Sequence, residues 1–100
     1  MQASDNQYLL KVQAWFSGHV QGVGFRYQTL QIAKEFQVTG TVANLSDGRV
    51  HLNAEGDTQE VRAFLAEIQN QLSNYIKKTE TSEDQGSRQF EGFQIIYPQP

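Results

Sequence analysis

Cysteine is absent from these 100 residues, which excludes a disulfide framework, a thiolate nucleophile and any zinc site built on sulfur. Basic runs are missing too. Lysine and arginine total 8 against 11 aspartates and glutamates, for a formal net charge of −3. The electrostatic footprint of a nucleic-acid or anionic-lipid binder is therefore not there, and any anion must be held by a local site. No apolar stretch approaches bilayer-spanning length, and the opening MQASDNQ is polar with no apolar leader core. The expectation is a soluble, cytoplasmic protein with neither a membrane nor a nucleic-acid partner. Two common phosphate fingerprints are also missing: no G-K-[S/T] closes a glycine loop, and Gly22-Val23-Gly24 lacks the third glycine of a dinucleotide site.

What remains is an ordinary globular composition, 38% hydrophobic and 19% charged, in a chain long enough for one modest core. A single domain over 1–100 is expected, with 1–7 as a flexible N-terminus. Leu10, Val12, Ala14 and Phe16 alternate with Lys11, Gln13 and Trp15, the period of a half-buried strand that ends near Gly18. Phe25, Thr29, Ile32, Ala33 and Phe36 then recur at spacings of three and four, predicting an amphipathic helix over about 24–37, with Gly40 as its stop signal. TVANL and RVHLNAE read as two strands joined at Ser46-Asp47-Gly48, where Asp-Gly suits a tight hairpin. Val50, Leu52 and Ala54 face one side of the second strand, and Arg49, His51 and Asn53 the other.

Asp57 with Glu60 three residues on resembles a capping box, and Val61, Phe64, Leu65, Ile68 and Leu72 give a second helix its stripe. IKKTETSE is a polar strand candidate for a sheet edge, EDQGSRQFEG a loop, and GFQIIY a last strand with Phe93, Ile95 and Tyr97 on one face. Two one-striped helices and a sheet with one apolar face pack as two layers. The expected fold is an α+β, ferredoxin-like two-layer sandwich: two helices on one face of a mainly antiparallel four- to five-stranded sheet, the other face wet.

The stretch GHVQGVGFR, residues 18–26, joins the first strand to the first helix. Its glycines let successive N–H groups converge as an anion nest, and the helix N-terminus behind adds free amides and a positive dipole end. Arg26 falls in the first helical turn, where a cation opposes the dipole unless an anion is resident. Glycines in such a place also make a plain tight connection, and a single arginine is commonly a solvated surface group; these nine residues alone leave both open. From Arg26 the helix descends about 16 Å and the next strand climbs about 13 Å to Asn44, which brings that carboxamide back to the height of Arg26. Asn44 there can hold a water through its oxygen or merely prepare the turn that follows.

These residues carry a resemblance. Gly18 to Arg26 matches the first acylphosphatase signature, G-x-V-Q-G-V-x-F-R, at every fixed position, and Gly40-Thr41-Val42-Ala43-Asn44 with Gly48, Val50 and Gly56 is similar to the second. Thr41 stands where the family usually has an aromatic residue, a departure that bears on packing rather than chemistry. Leu45 stands where some members carry a threonine, so no helper role is assigned there. The resemblance implies hydrolysis of acyl phosphates without metal or cofactor, by a monomer, with inorganic phosphate as product and competitive inhibitor. It implies that Arg26 and Asn44 are catalytic, the first binding the phosphoryl group and the second orienting water. The backbone N–H groups of His19, Val20, Gln21, Gly22, Val23 and Gly24 would form the phosphate loop. The alternative kept beside it is a catalytically silent anion-binding or regulatory module on the same fold. His51, Asp47, Glu80, Glu83 and Asp84 are read as non-catalytic.

Overall fold

The computed structural model of the chain describes residues 8–98, so the expected flexible stretch at 1–7 lies outside the described residues. Seven elements follow one another: β1 (Leu9–Gly18), α1 (Phe25–Ala33), β2 (Val38–Asn44), β3 (Val50–Gly56), α2 (Thr58–Gln71), β4 (Ile76–Gly86) and β5 (Phe93–Ile95). The strands make one sheet in the order β4-β1-β3-β2-β5. β1 pairs antiparallel with β3 and β4, β3 antiparallel with β2, and β5 parallel with β2. The expected α+β sandwich with a mainly antiparallel sheet is the fold observed. Among the described residues no helix is long and apolar enough to cross a membrane.

Register decides which side chains meet the helices. Val12 stands opposite Ala54, Ala14 opposite Leu52 and Phe16 opposite Val50, while Val42 pairs with Leu52 and Asn44 with Val50. Because side chains alternate with a period of two, these residues share one face. Their apolar members join Phe25, Ile32 and Ala33 of α1 and Val61, Phe64 and Ile68 of α2 in a single buried cluster. Its aromatic contacts include Phe16 with Phe25 at 5.3 Å and Phe64 edge-on to Phe93 at 5.5 Å between centroids. Asn44 is thus the last member of the helix-facing row, and its side chain is aimed at the layer that holds α1.

Several expected boundaries move, each for a physical reason. Helix α1 stops at Ala33 rather than near Gln37, because Lys34, Glu35 and Phe36 donate to the carbonyls three residues back, tightening the last turn into 3₁₀ geometry that cannot propagate. Gly40 is inside β2 and stops no helix. A Cβ there would lie 1.9 Å from the Asn53 carbonyl oxygen, so glycine is required by the close approach of β3. The capping box does not form either: Asp57 caps α2 without a side-chain hydrogen bond, and Glu60 Oε1 instead accepts from Gln37 N–H at 2.7 Å. That bond ties the end of α1 to the start of α2.

The polar segment expected as a short edge strand and a long loop is mostly strand. β4 runs 11 residues to Gly86, its charged side chains suiting an edge. Residues 87–92 then cross from one edge of the sheet to the other, over four interstrand intervals or roughly 19 Å. Seven residues from Gly86 to Phe93 reach about 23 Å when extended, so the connection is nearly taut. It lies across the face expected to be wet: Lys11 Nζ donates to the Ser87 carbonyl at 2.8 Å, Arg88 to Thr39 Oγ1 at 2.7 Å, and the Gln89 and Phe90 amides to the Glu55 carboxylate at 2.8–3.1 Å. Tyr97 also departs from expectation. β5 ends at Ile95, so Tyr97 runs off the sheet and is 73% exposed instead of packing beside Phe93 and Ile95.

Candidate active site

The turn from β1 into α1 is built on two left-handed glycines. Gly22 has φ 79° and Gly24, the N-cap of α1, has φ 80° and ψ 19°, a region that costs an L side chain about 1–2 kcal/mol. A Cβ at either position would meet no atom within 4 Å. Conformation therefore requires glycine here, and the space in front of both stays open. The first intrahelical bond runs from Gln28 N–H to the Gly24 carbonyl, which leaves the amides of Phe25, Arg26 and Tyr27 without an intrahelical acceptor. Among the described residues, no N–H from Val20 to Gly24 donates to a backbone carbonyl.

One amide expected in this cradle is committed elsewhere. His19 N–H donates to the Tyr75 carbonyl at 2.9 Å, tying the loop to the entry of β4, and the cradle begins at Val20. Val20 and Val23 anchor it from below, the first buried and the second packed against the core. The Gln21 side chain fixes the cradle laterally: Nε2 donates to the Leu45 carbonyl at 2.8 Å and to the Arg49 carbonyl at 3.0 Å. Those two carbonyls flank the β2–β3 turn, immediately after Asn44. The loop is thereby held against the end of β2.

Arg26 and Asn44 come from different elements and line the same cleft, together with Gly22 and Gly24. Val20, Phe25 and Ile95 form its apolar floor, Tyr27 and Tyr97 its rim, and its cavity volume is about 290 Å³. Among the described residues Arg26 forms no ion pair; its guanidinium lies over the Tyr97 ring, 5.4 Å from the centroid, within cation–π range. Asn44 Oδ1 is buried and accepts no hydrogen bond from the protein among the described residues. An acceptor left so costs about 1–3 kcal/mol and marks a place for a donor to bind. The turn itself does not need Asn44, since Asp47 Oδ1 accepts from Arg49 N–H at 3.1 Å and supports it.

The sequence model of the family described as acylphosphatase matches residues 12–95. The chain belongs to the acylphosphatase family. An acylphosphatase of Methanospirillum hungatei is 47% identical over 67 residues, covering 67% of this chain and 74% of that protein. One of Clostridium acetobutylicum is 36% identical over 97 residues, covering 91% and 97%. The crystal structure of acylphosphatase from Bacillus subtilis matches the fold with a TM-score of 0.79 at 29% identity, covering 88% of this chain and 99% of that one.

Outside the cleft, several titratable groups are occupied with structure. Among the described residues no three His, Asp or Glu side chains form a group able to hold a metal ion. His51 faces away from the cleft on β3, its Nε2 2.8 Å from Gln13 Oε1 and its ring 5.1 Å from that of Trp15. Burial first, and the Arg49 charge second, hold His51 below its ordinary value. Glu83 takes both prongs of Arg62 at 2.8 and 3.1 Å. A second cavity of about 250 Å³ adjoins Glu55, but that carboxylate is already filled by four donors from Lys11, Thr39, Gln89 and Phe90. Burial pushes Glu55 up, the Lys11 ammonium and then the Phe90, Thr39 and Gln89 donors pull it down, and the net direction is down.

Sequence reasoning missed three contributors. The side chain of Gln21 was visible as a fixed position of the signature, but its role depends on two carbonyls more than twenty residues away. Tyr27 reads as an outward residue of α1, and nothing local says that outward is also toward the cleft. Tyr97 shares a face with Phe93 and Ile95 by parity, and the early end of β5 sends it to the rim.

Proposed function

We propose that this chain hydrolyses acyl phosphates to a carboxylate and inorganic phosphate, without metal, by attack of water on phosphorus. The phosphoryl oxygens accept from the N–H groups of Val20 to Gly24 and from the amides opening α1, and Arg26 neutralises their charge. Asn44 Oδ1 accepts one O–H of the attacking water and so fixes its position. Water adds to phosphorus as the bond to the acyl oxygen breaks. The products are the carboxylate and dihydrogen phosphate, the water's second proton passing to a phosphate oxygen. The leaving carboxylate has a conjugate acid of pKa about 4 and needs no general acid. Positioning and charge stabilisation are what phosphoryl transfer chiefly asks of a protein.

The observation that carries this reading is the buried, unpartnered Asn44 Oδ1 in one cleft with Arg26 and the glycine cradle. Every group comes from one chain, so a monomer suffices, and free phosphate competes for the same donors. The test is phosphate release from benzoyl phosphate in excess chelator. A rate well above spontaneous hydrolysis, lost in Arg26→Ala together with inhibition by phosphate, is expected. Phosphate binding with no rate above that background contradicts hydrolysis and leaves the silent anion-binding module.

A further inference from the structure

The cleft is divided by chemistry. One part of its lining is polar or cationic, Gly22, Gly24, Arg26 and Asn44; the rest is Val20, Phe25, Ile95 and two tyrosines. Among the described residues, large hydrophobic side chains that stand exposed are few: Tyr8, Tyr27, Ile96 and Tyr97. Two of these four, Tyr27 at 61% and Tyr97 at 73% exposure, stand at the rim of this one cleft. Exposed aromatic surface gathered at a pocket mouth marks a contact surface rather than chance, since scattered apolar residues need no partner but clustered ones do.

We propose that Tyr27 and Tyr97 form a subsite for the acyl group, selecting acyl phosphates whose acyl part is flat, apolar and uncharged. The proposal rests on the phosphoryl group occupying the cradle as described above. With the phosphoryl end held at Gly22, Gly24 and Arg26, the acyl group lies toward the two tyrosines of the same cleft, where a planar ring finds aromatic partners. Tyr97 is a prepared platform, because the Arg26 guanidinium lies over its ring at 5.4 Å and restrains it before any ligand arrives.

Charge sharpens the selection. Among the described residues Arg26 is the only charged side chain lining the cleft, and the phosphoryl dianion uses it. An acyl group bearing a second carboxylate or phosphate meets no further cation among the described residues and must desolvate that charge against tyrosine rings. Size agrees as well: a cavity volume of about 290 Å³ is at the small end for ligand sites and fits a phosphoryl group with one ring, not a nucleotide.

The test uses equilibrium binding of non-hydrolysable phosphonates to the full chain by calorimetry, so that turnover does not enter. Phenylphosphonate is expected to bind at least about fivefold more tightly than methylphosphonate. Tyr27→Ala and Tyr97→Ala should each shrink that ratio by about 2- to 12-fold, the range of one aromatic contact. Tyr27→Ala, which leaves the Arg26–Tyr97 contact in place, should move methylphosphonate by less than about twofold. A carboxylate added at the para position should return phenylphosphonate to the affinity of methylphosphonate or below. Equal binding of phenyl- and methylphosphonate by the unmodified chain, or a ratio unmoved in both variants, overturns the subsite. A chain that discriminates as expected but releases no phosphate from benzoyl phosphate upholds the subsite and removes hydrolysis instead.

Discussion

Removing the Glu55 carboxylate should loosen the strap that crosses the open sheet face. Its side chain is 1% exposed and takes Lys11 Nζ at 2.6 Å, Thr39 Oγ1 at 2.9 Å, and the amides of Gln89 and Phe90 at 3.0 and 2.8 Å. Glu55→Ala leaves two strap amides without their acceptor and takes the counter-charge from the Lys11 ammonium, which keeps the Ser87 carbonyl. Breaking one side of a buried pair costs about 3–5 kcal/mol; because Lys11 is 20% exposed and can turn to water, we expect about 3 kcal/mol. Glu55→Gln keeps one accepting oxygen but points an NH₂ at donors, and should cost about 2 kcal/mol. Against a total of roughly 5–15 kcal/mol for a domain, either is readily measured by urea unfolding.

The pH dependence gives this prediction a sign. The Glu55 carboxyl titrates below its ordinary 4.5 in the folded chain, so the folded state binds its proton less readily than the unfolded state does. Its stabilisation is complete above 4.5 and fades as pH falls through the lower folded value. The stability gap between the unmodified chain and Glu55→Gln should therefore be constant near neutrality and narrow in acid. A gap under about 0.5 kcal/mol at pH 7, or one that widens on acidification, refutes the assignment.

Gln21→Ala removes two hydrogen bonds that hold the cradle against the end of β2, for about 1–3 kcal/mol in stability. With benzoyl phosphate it should lower kcat by about tenfold or more, as misplacement of positioned groups does, and Gln21→Glu should not rescue it because a carboxylate cannot donate to carbonyls. Gly24→Ala and Gly92→Ala both place an L residue at positive φ with no atom within 4 Å of the new Cβ, so each should cost about 1–2 kcal/mol in urea unfolding. Only Gly24→Ala, whose methyl group enters the cleft, should also weaken phosphate inhibition.

The two-layer fold was legible because its signals are local and mutually consistent. Leu10 to Phe16 alternate, Val61 to Leu72 carry a helical stripe, and Asp47-Gly48 marks a hairpin. The rough lengths of α1 and β2 were even enough to return Asn44 to the height of Arg26. What failed depends on distant partners. The end of α1 is set by 3₁₀ bonds and by Glu60 from another helix. Gly40 answers to the backbone of β3, and the His19 amide to a carbonyl fifty-six positions on in the chain. Glu55 sat in a strand where alternation pointed it to the wet face, and only the crossing of residues 87–90 buries it. A polar edge strand such as β4 carries almost no burial periodicity, so its length could not be read from its residues.

The claim on which the site stands is that Asn44 aims water at a phosphoryl group held by Arg26 and the loop amides. Steady-state kinetics of Asn44→Ala with benzoyl phosphate test it most directly. The account expects kcat to fall by about 100-fold or more, as losing a positioned reactant does, with KM and inhibition by inorganic phosphate within about threefold of the unmodified chain. An unchanged kcat with a raised KM would make Asn44 a substrate-binding group and contradict it.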